Sequence, residues 1–192
     1  MIKVTLNNDI LRCITEIEQN RFQVSSVKLP STTTNRLRKN SKKKSSYASN
    51  KIEGNPLTER QVDEVIEQDE RKHYLKPEQE VRNYFLALNF LETKAANKEK
   101  LSKKLILDVQ ELVEKGASKE KIGLRGPMPP GVLFAVYDSK TGNPDYIPPE
   151  YSDIPSLLDE LVTYVNTTDD HPLIIAAVVH YQLVTIHPFE DG

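Results

Sequence analysis

The sequence predicts an all-α bundle interrupted by one β-hairpin. Two observations carry that expectation. From Thr58 to Ile186, apolar residues return at helical spacing in five successive stretches, most of them opened or closed by capping residues. One stretch, Val132 to Pro149, breaks the pattern with two short apolar runs on either side of a polar turn, Asp138 to Asn143.

The elements follow in chain order. Over residues 9–19, Asp9 stands as N-cap, and Ile10, Leu11, Ile14 and Ile17 share one side of an amphipathic helix. Residues 31–46 hold six Lys/Arg and no acid, the composition of a solvated loop or mobile linker. Basic runs can bind phosphates, but this one has no interleaved aromatic residue, and nucleic acid is not expected. Asn50, with Glu53 three residues on, reads as the capping box of a short helix. Thr58-Glu59-Arg60-Gln61 is a further capping box, opening a helix that carries Val62, Val65 and Ile66. Pro77 suits the first turn of the next, which places Val81, Tyr84, Phe85, Leu88 and Leu91 on one face. Leu101, Leu105, Ile106, Val109, Leu112 and Val113 mark another helix, ended near Gly116.

Beyond it, Gly123-Leu124-Arg125 leads through a stiff Gly126-Pro127-Met128-Pro129-Pro130-Gly131 run into the hairpin. Ser152-Asp153 opens a helix with Ile154, Leu157, Leu158, Leu161 and Val165. The last stretch, 172–186, is apolar almost all round, which predicts a helix buried in the bundle, with His180 a hydrogen-bonded core residue. It is too short to span a bilayer.

Composition sets the outer bounds. With 192 residues, 38% of them hydrophobic, the chain can bury one real core and a small appendage. A net charge of −2 gives no global sign of nucleic-acid or membrane binding. The single cysteine, Cys13, excludes an internal disulfide framework and fits a reducing compartment. The first residues lack the charged start and apolar run of a signal peptide, so a cytoplasmic location is expected. The organisation read from these features is an N-terminal arm and basic linker (1–46), a short helical motif (47–56) and a helical core (57–192).

Chemistry concentrates in His187-Pro188-Phe189-Glu190-Asp191-Gly192. Pro188 disfavours the helical conformation at His187, so the helix should end there and present the imidazole outward. Phe189 is expected to plug the loop into the core, and a histidine held this way beside carboxylates suits general-base chemistry near neutral pH. His171, His180 and His187 lack zinc-ligand spacing, and the chain has no Gly-rich phosphate loop or nucleophile elbow.

These six residues resemble the first two-thirds of the active-site loop of the Fic (Fic/DOC) domain family, His-Pro-Phe-x-(Asp/Glu)-Gly-Asn-(Gly/Lys)-Arg. Upstream, Ser49-Asn50-Lys51-Ile52-Glu53-Gly54 resembles that family's inhibitory motif, (Ser/Thr)-x-x-x-Glu-(Gly/Asn). The resemblance implies a Fic-type helical bundle with the hairpin as its flap. It also implies an autoinhibited protein adenylyltransferase that transfers AMP from ATP to a Ser, Thr or Tyr hydroxyl of a target protein laid along the flap by strand addition. The Gly126–Gly131 insertion departs from many relatives and bears on the flap geometry.

In that scheme His187 is the general base. Asp191 ligates Mg²⁺ that bridges the α- and β-phosphates, and Gly192 begins the phosphate-cradling, nucleotide-binding turn. Glu53 reaches into the nucleotide site, pairs with the second arginine of the full motif and misplaces the γ-phosphate, while Ser49 and Gly54 complete the inhibitory helix. The sequence stops before Asn-Gly-Arg, so the fold's C-terminal helices are expected to be missing. One lost preorganised donor costs about 10²–10³ in rate, and the 192 residues alone are expected not to transfer AMP. An apolar face left on the central helix would favour association into a homo-oligomer. Two other readings remain open at this level: a non-catalytic helical interaction protein or decayed Fic remnant, and a Fic-like protein that removes AMP or transfers another nucleotide-derived group.

Overall fold

The computed structural model describes residues 2–68, 73–117, 122–138 and 140–191. Among them are seven α-helices: α1 (Asn8–Ser25), α2 (Ser31–Ile52), α3 (Glu59–Glu67), α4 (Lys76–Ala96), α5 (Lys103–Glu114), α6 (Ile154–Thr167) and α7 (Pro172–Ile186). Strands β1 (Val136–Tyr137) and β2 (Pro144–Tyr146) form the hairpin. No helix among the described residues is long and apolar enough to cross a membrane. The chain divides into two compact units, Ile2–Phe85 and Leu86–Gly192, with α4 contributing residues to each.

In the first unit, α1 starts slightly earlier than expected. Asn7, not Asp9, is the N-cap, its Oδ1 accepting from the Ile10 N–H at 2.8 Å, while Asp9 sits in the first turn and favours the helix dipole. No residue of α1 is buried.

The larger departure is residues 31–46, which are helical, not a loop, and belong to the 22-residue α2. Composition misleads here because lysine and arginine are good helix formers whose stems can cover apolar surface. Lys43 and Ser46 are buried, and α2 packs on α3. The Lys43 ammonium lies 2.6 Å from Glu67 Oε1 and 3.4 Å from Asp63 Oδ1, so its lost hydration is replaced by two carboxylates. Beside it Val62, Val65 and Val81 form a core joined by Tyr47, Leu57, Ile66 and Tyr74.

The capping box expected at Asn50 is also corrected. Asn50 lies in the last turns of α2, its amide donating to the Ser46 carbonyl at 2.8 Å. Glu53 is the C-cap, and Gly54 follows at φ +85°, the left-handed conformation that terminates a helix. The motif is therefore the end of a long helix. Asn55 then anchors the exit: its amide donates to the Pro77 carbonyl and to Glu80, both at 3.0 Å, and its oxygen accepts from the Leu57 N–H. The Thr58–Gln61 capping box forms as the sequence predicts.

In the second unit Ser102 caps α5, accepting from the Leu105 N–H at 3.1 Å. Ile106, Ile154, Leu158 and Ile186 make the core, with Leu101, Leu124, Leu157, Val162, Leu183 and Phe189 packed around it. The hairpin is shorter than the apolar run suggested, because residues 132–135 are not strand. Val136 pairs with Tyr146 and Tyr137 with Pro144, a residue that has no N–H for the ladder. Asp138 builds the turn, its Oδ1 accepting from the Lys140 and Thr141 N–H groups at 2.9 and 2.6 Å, which holds its carboxyl below the usual range.

Helix α7 is not buried all round. Ile174 and Ile186 are buried, whereas Leu173, Ala176, Ala177, His180, Tyr181 and Val184 form an exposed stripe at helical spacing. His180 is thus exposed and not a core residue. An all-apolar helix carries no information about which face its neighbours will cover, so sequence could not choose it.

Two stability outcomes follow. Lys43→Ala should destabilise the first unit by about 1–3 kcal/mol, since hydrogen bonds to charged groups are worth that much, while the exposed Lys44→Ala should stay within about 0.5 kcal/mol in urea unfolding. The Lys43 hydrogen bond and charge lower the Glu67 pKa, so the unfolded chain binds the proton first. The benefit is therefore present above the ordinary glutamate range and is lost as pH falls through the lowered one. Leu158, wholly buried at 0% exposure, should cost about 2–5 kcal/mol on truncation to alanine, read the same way.

Candidate active site

The site is built where α7 stops. The His187 N–H still bonds the Leu183 carbonyl at 2.9 Å, but its backbone has swung to φ 47°, ψ 61°. Pro188 forbids a comfortable right-handed turn before it, and the left-handed region lets the chain leave the helix axis at once. A non-glycine residue there is strained and persists only where the surroundings fix it.

Arg125 supplies most of that fixing. It is 6% exposed, with Nε donating to the His187 carbonyl at 2.7 Å and Nη2 donating to the Pro149 carbonyl. Its backbone N–H donates to the Pro188 carbonyl at 2.9 Å. Its guanidinium lies 4.5 Å from the centre of the Phe134 ring, and that ring stands 5.6 Å from the imidazole at a 54° tilt.

Gln110, 3% exposed, bridges the same segments from α5: its oxygen accepts from the Gly123 N–H at 2.9 Å and its amide donates to the Asp191 carbonyl at 3.0 Å. Tyr146 ties β2 to the last turn of α7, donating to the Thr185 carbonyl at 2.7 Å. Phe189 packs into the core as expected and helps line an apolar cavity of about 310 Å³ with Leu105, Val109, Val113, Val179 and Leu183.

Electrostatically the imidazole is prepared to accept a proton. Burial is the largest influence lowering the His187 pKa, and the Arg125 charge adds to it; a hydrogen bond with the Val184 backbone opposes both. Neutral imidazole therefore dominates near neutral pH. Burial also depresses Arg125, with Glu150 and Tyr146 acting the other way, but an arginine stays charged.

Of the residues that the sequence singles out, His187 and Asp191 share one loop, with the Asp191 side chain exposed. Gly192 lies outside the described residues. Ser49, Glu53 and Gly54 gather at the end of α2, in the other compact unit. There the Ser49 and Tyr84 hydroxyls are 2.8 Å apart. No group of three or more His, Cys, Asp or Glu among the described residues could hold a metal ion. His171 serves as a cap, its Nδ1 accepting from the Leu173 N–H at 3.3 Å.

Sequence reasoning did not single out Gln110, Arg125, Phe134 or Tyr146. Gln110 did leave a signal: it sits at i+4 from Ile106 on an otherwise apolar helix face. Arg125 left a fainter one, a lone cation between glycines and a proline-rich run.

Residues 100–192 match the family model described as Fic/DOC family. Solved structures agree in fold. A Fic family protein from Desulfovibrio desulfuricans is 26% identical with a TM-score of 0.78, over 100% of this chain and 55% of that one. A Fic domain containing signaling protein from Bacteroides thetaiotaomicron is 23% identical, with a TM-score of 0.70 over 85% and 62% of the two chains. A fragment of Fic-1 from C. elegans is 23% identical, with a TM-score of 0.69 over 96% and 56%. This chain spans 55–62% of the length of those three. Residues 100–192 thus carry a Fic/DOC family domain, and the helices with the hairpin have the Fic fold.

Proton NMR of the ring should show His187 titrating below the ordinary histidine value of 6.5. The sign for stability follows. The unfolded chain takes up this proton at a higher pH than the native one, so this contribution declines as pH drops below the ordinary histidine range. A His187 titration at or above that value would contradict the geometry.

Proposed function

We propose that this chain carries the general base, hairpin flap and inhibitory helix of a protein adenylyltransferase, which moves AMP from ATP to a Ser, Thr or Tyr hydroxyl of a target protein. The observation that carries the reading is the placement of His187: a neutral imidazole at the strained end of α7, in a segment that matches the Fic/DOC family. In the step proposed, the imidazole takes the hydroxyl proton as the oxygen attacks the α-phosphorus of ATP. The bond from that phosphorus to the oxygen bridging to the β-phosphate breaks, and pyrophosphate leaves. The short hairpin offers a paired edge against which a target segment could lie.

Asp191 is the residue that would hold Mg²⁺. A single exposed carboxylate, without a three-residue ligand cluster among the described residues, fits a hard cation that arrives with phosphate oxygens as most of its ligands. When bound, that ion offsets charge on the phosphates. Gly192 would begin the phosphate-binding turn. On the inhibitory side, Glu53 would act from the C-cap of α2, seated by the Ser49–Tyr84 hydrogen bond and by the turn at Gly54.

The test is transfer of label from ATP labelled at the α-phosphate, using the gene product that contains these residues. His187→Ala should lower transfer by about 10²–10⁴, the usual worth of a general base. Glu53→Gly should raise it. Transfer indifferent to His187 would sink the reading. Loss of AMP hydrolysis in Glu53→Gly, without a gain in transfer, would mark a remover instead.

A further inference from the structure

We propose that Arg125 is a positioning residue, which fixes His187 in its reactive orientation by clamping the carbonyls at the start of the loop to the Pro149 carbonyl beyond the hairpin. Its effect on transfer rests on the adenylyltransferase reading; the clamp itself does not. A cation 6% exposed needs compensation, and the common solution is a carboxylate partner. Among the described residues, the hydrogen bonds of Arg125 go instead to backbone carbonyls from separate segments: His187 and Pro188 at the end of α7, and Pro149 beyond the hairpin. Such an arrangement fixes backbone conformation more than it balances charge. It meets the left-handed residue directly, because the carbonyl that turns out of the helix at His187 is the one that receives Nε.

The shape of the side chain matters as much as its charge. The guanidinium is a planar fork, so Nε and Nη2 can reach two carbonyls at once while the flat face rests on Phe134. Phe134 in turn walls the imidazole. One side chain therefore holds the backbone at His187, supports the Phe134 ring beside the imidazole and ties the hairpin's exit to the end of α7. A lysine keeps the charge but offers a single point of contact.

That difference supplies the test. Arg125→Lys retains the cation and loses the fork; Arg125→Gln loses both. A role through charge alone would leave Arg125→Lys close to wild type. Positioning predicts that both variants lower kcat by about 10²-fold, the scale of an ångström misplacement, with KM for ATP little changed. The His187 ring should also titrate nearer the ordinary histidine value in Arg125→Lys, as the imidazole escapes its cover. Glu150 and Tyr146 near the guanidinium, and Glu190 and Asp191 on the same loop, are unchanged in both variants.

An Arg125→Lys protein with wild-type kcat and an unmoved His187 titration would overturn the proposal. If the gene product transfers no label even with Glu53 replaced, the functional reading fails, and the His187 titration alone still decides the clamp. Should the Arg125 variants not fold, Phe134→Leu becomes the deciding change. It removes the shared wall without touching a hydrogen bond, and a His187 titration and rate like wild type would then refute the proposal, whereas a shift of both supports it.

Discussion

The second unit depends on a backbone conformation that its sequence makes expensive: a histidine in the left-handed region, one residue before a proline. Strain of this kind costs on the order of 1–3 kcal/mol, and it survives only where neighbours leave no alternative. Here they leave none. The carbonyl at His187 is held by Arg125, the next carbonyl by the Arg125 N–H, and the loop's far end by Gln110. Phe189 is packed into the core between them. The backbone that carries the His187 imidazole is thus held at both ends of the loop.

Lys43 and Arg125, both buried, show contrasting uses of charge. Lys43 is nearly covered, yet its partners Asp63 and Glu67 keep roughly half of their side chains in solvent, at 47% and 58% exposure. Such a pair fastens α2 to α3 at little desolvation cost to the acids, and it holds the helix whose end carries Ser49 and Glu53. Arg125 instead spends its donors on uncharged carbonyls. A carboxylate in contact with the imidazole would have pulled the His187 pKa up, whereas the Arg125 charge pushes it down.

Much of this was legible from residue patterns. The cap at Thr58 and the helices from 58 to 186 follow from spacing and polar punctuation, as does the loop that begins at His187. What could not be read was decided by partners distant in sequence. Residues 31–46 look disordered because the acids that neutralise Lys43 lie about twenty residues downstream. Asn50 looks like a cap because the same side chain suits either a helix start or a bond back to the previous turn. The covered face of α7 is chosen by α6, not by its own composition. Arg125 is the hardest case, since its hydrogen bonds go to backbone carbonyls, which every residue type carries alike.

The order of residues in the loop has a physical rationale of its own. Glu190 and Asp191 lie only three and four positions beyond His187, and carboxylates in contact with an imidazole would raise its pKa and keep it protonated. Burial and the Arg125 charge lower the His187 pKa, and a bond with the Val184 backbone opposes them. Phe189 provides the separation. By entering the core it anchors the chain between the imidazole and the carboxylates, so that His187 stays half-buried while Glu190 and Asp191 emerge into solvent. Proline stops the helix, phenylalanine divides the loop, and only then do anionic groups appear. A half-buried imidazole and exposed carboxylates can share one loop because an apolar side chain stands between them.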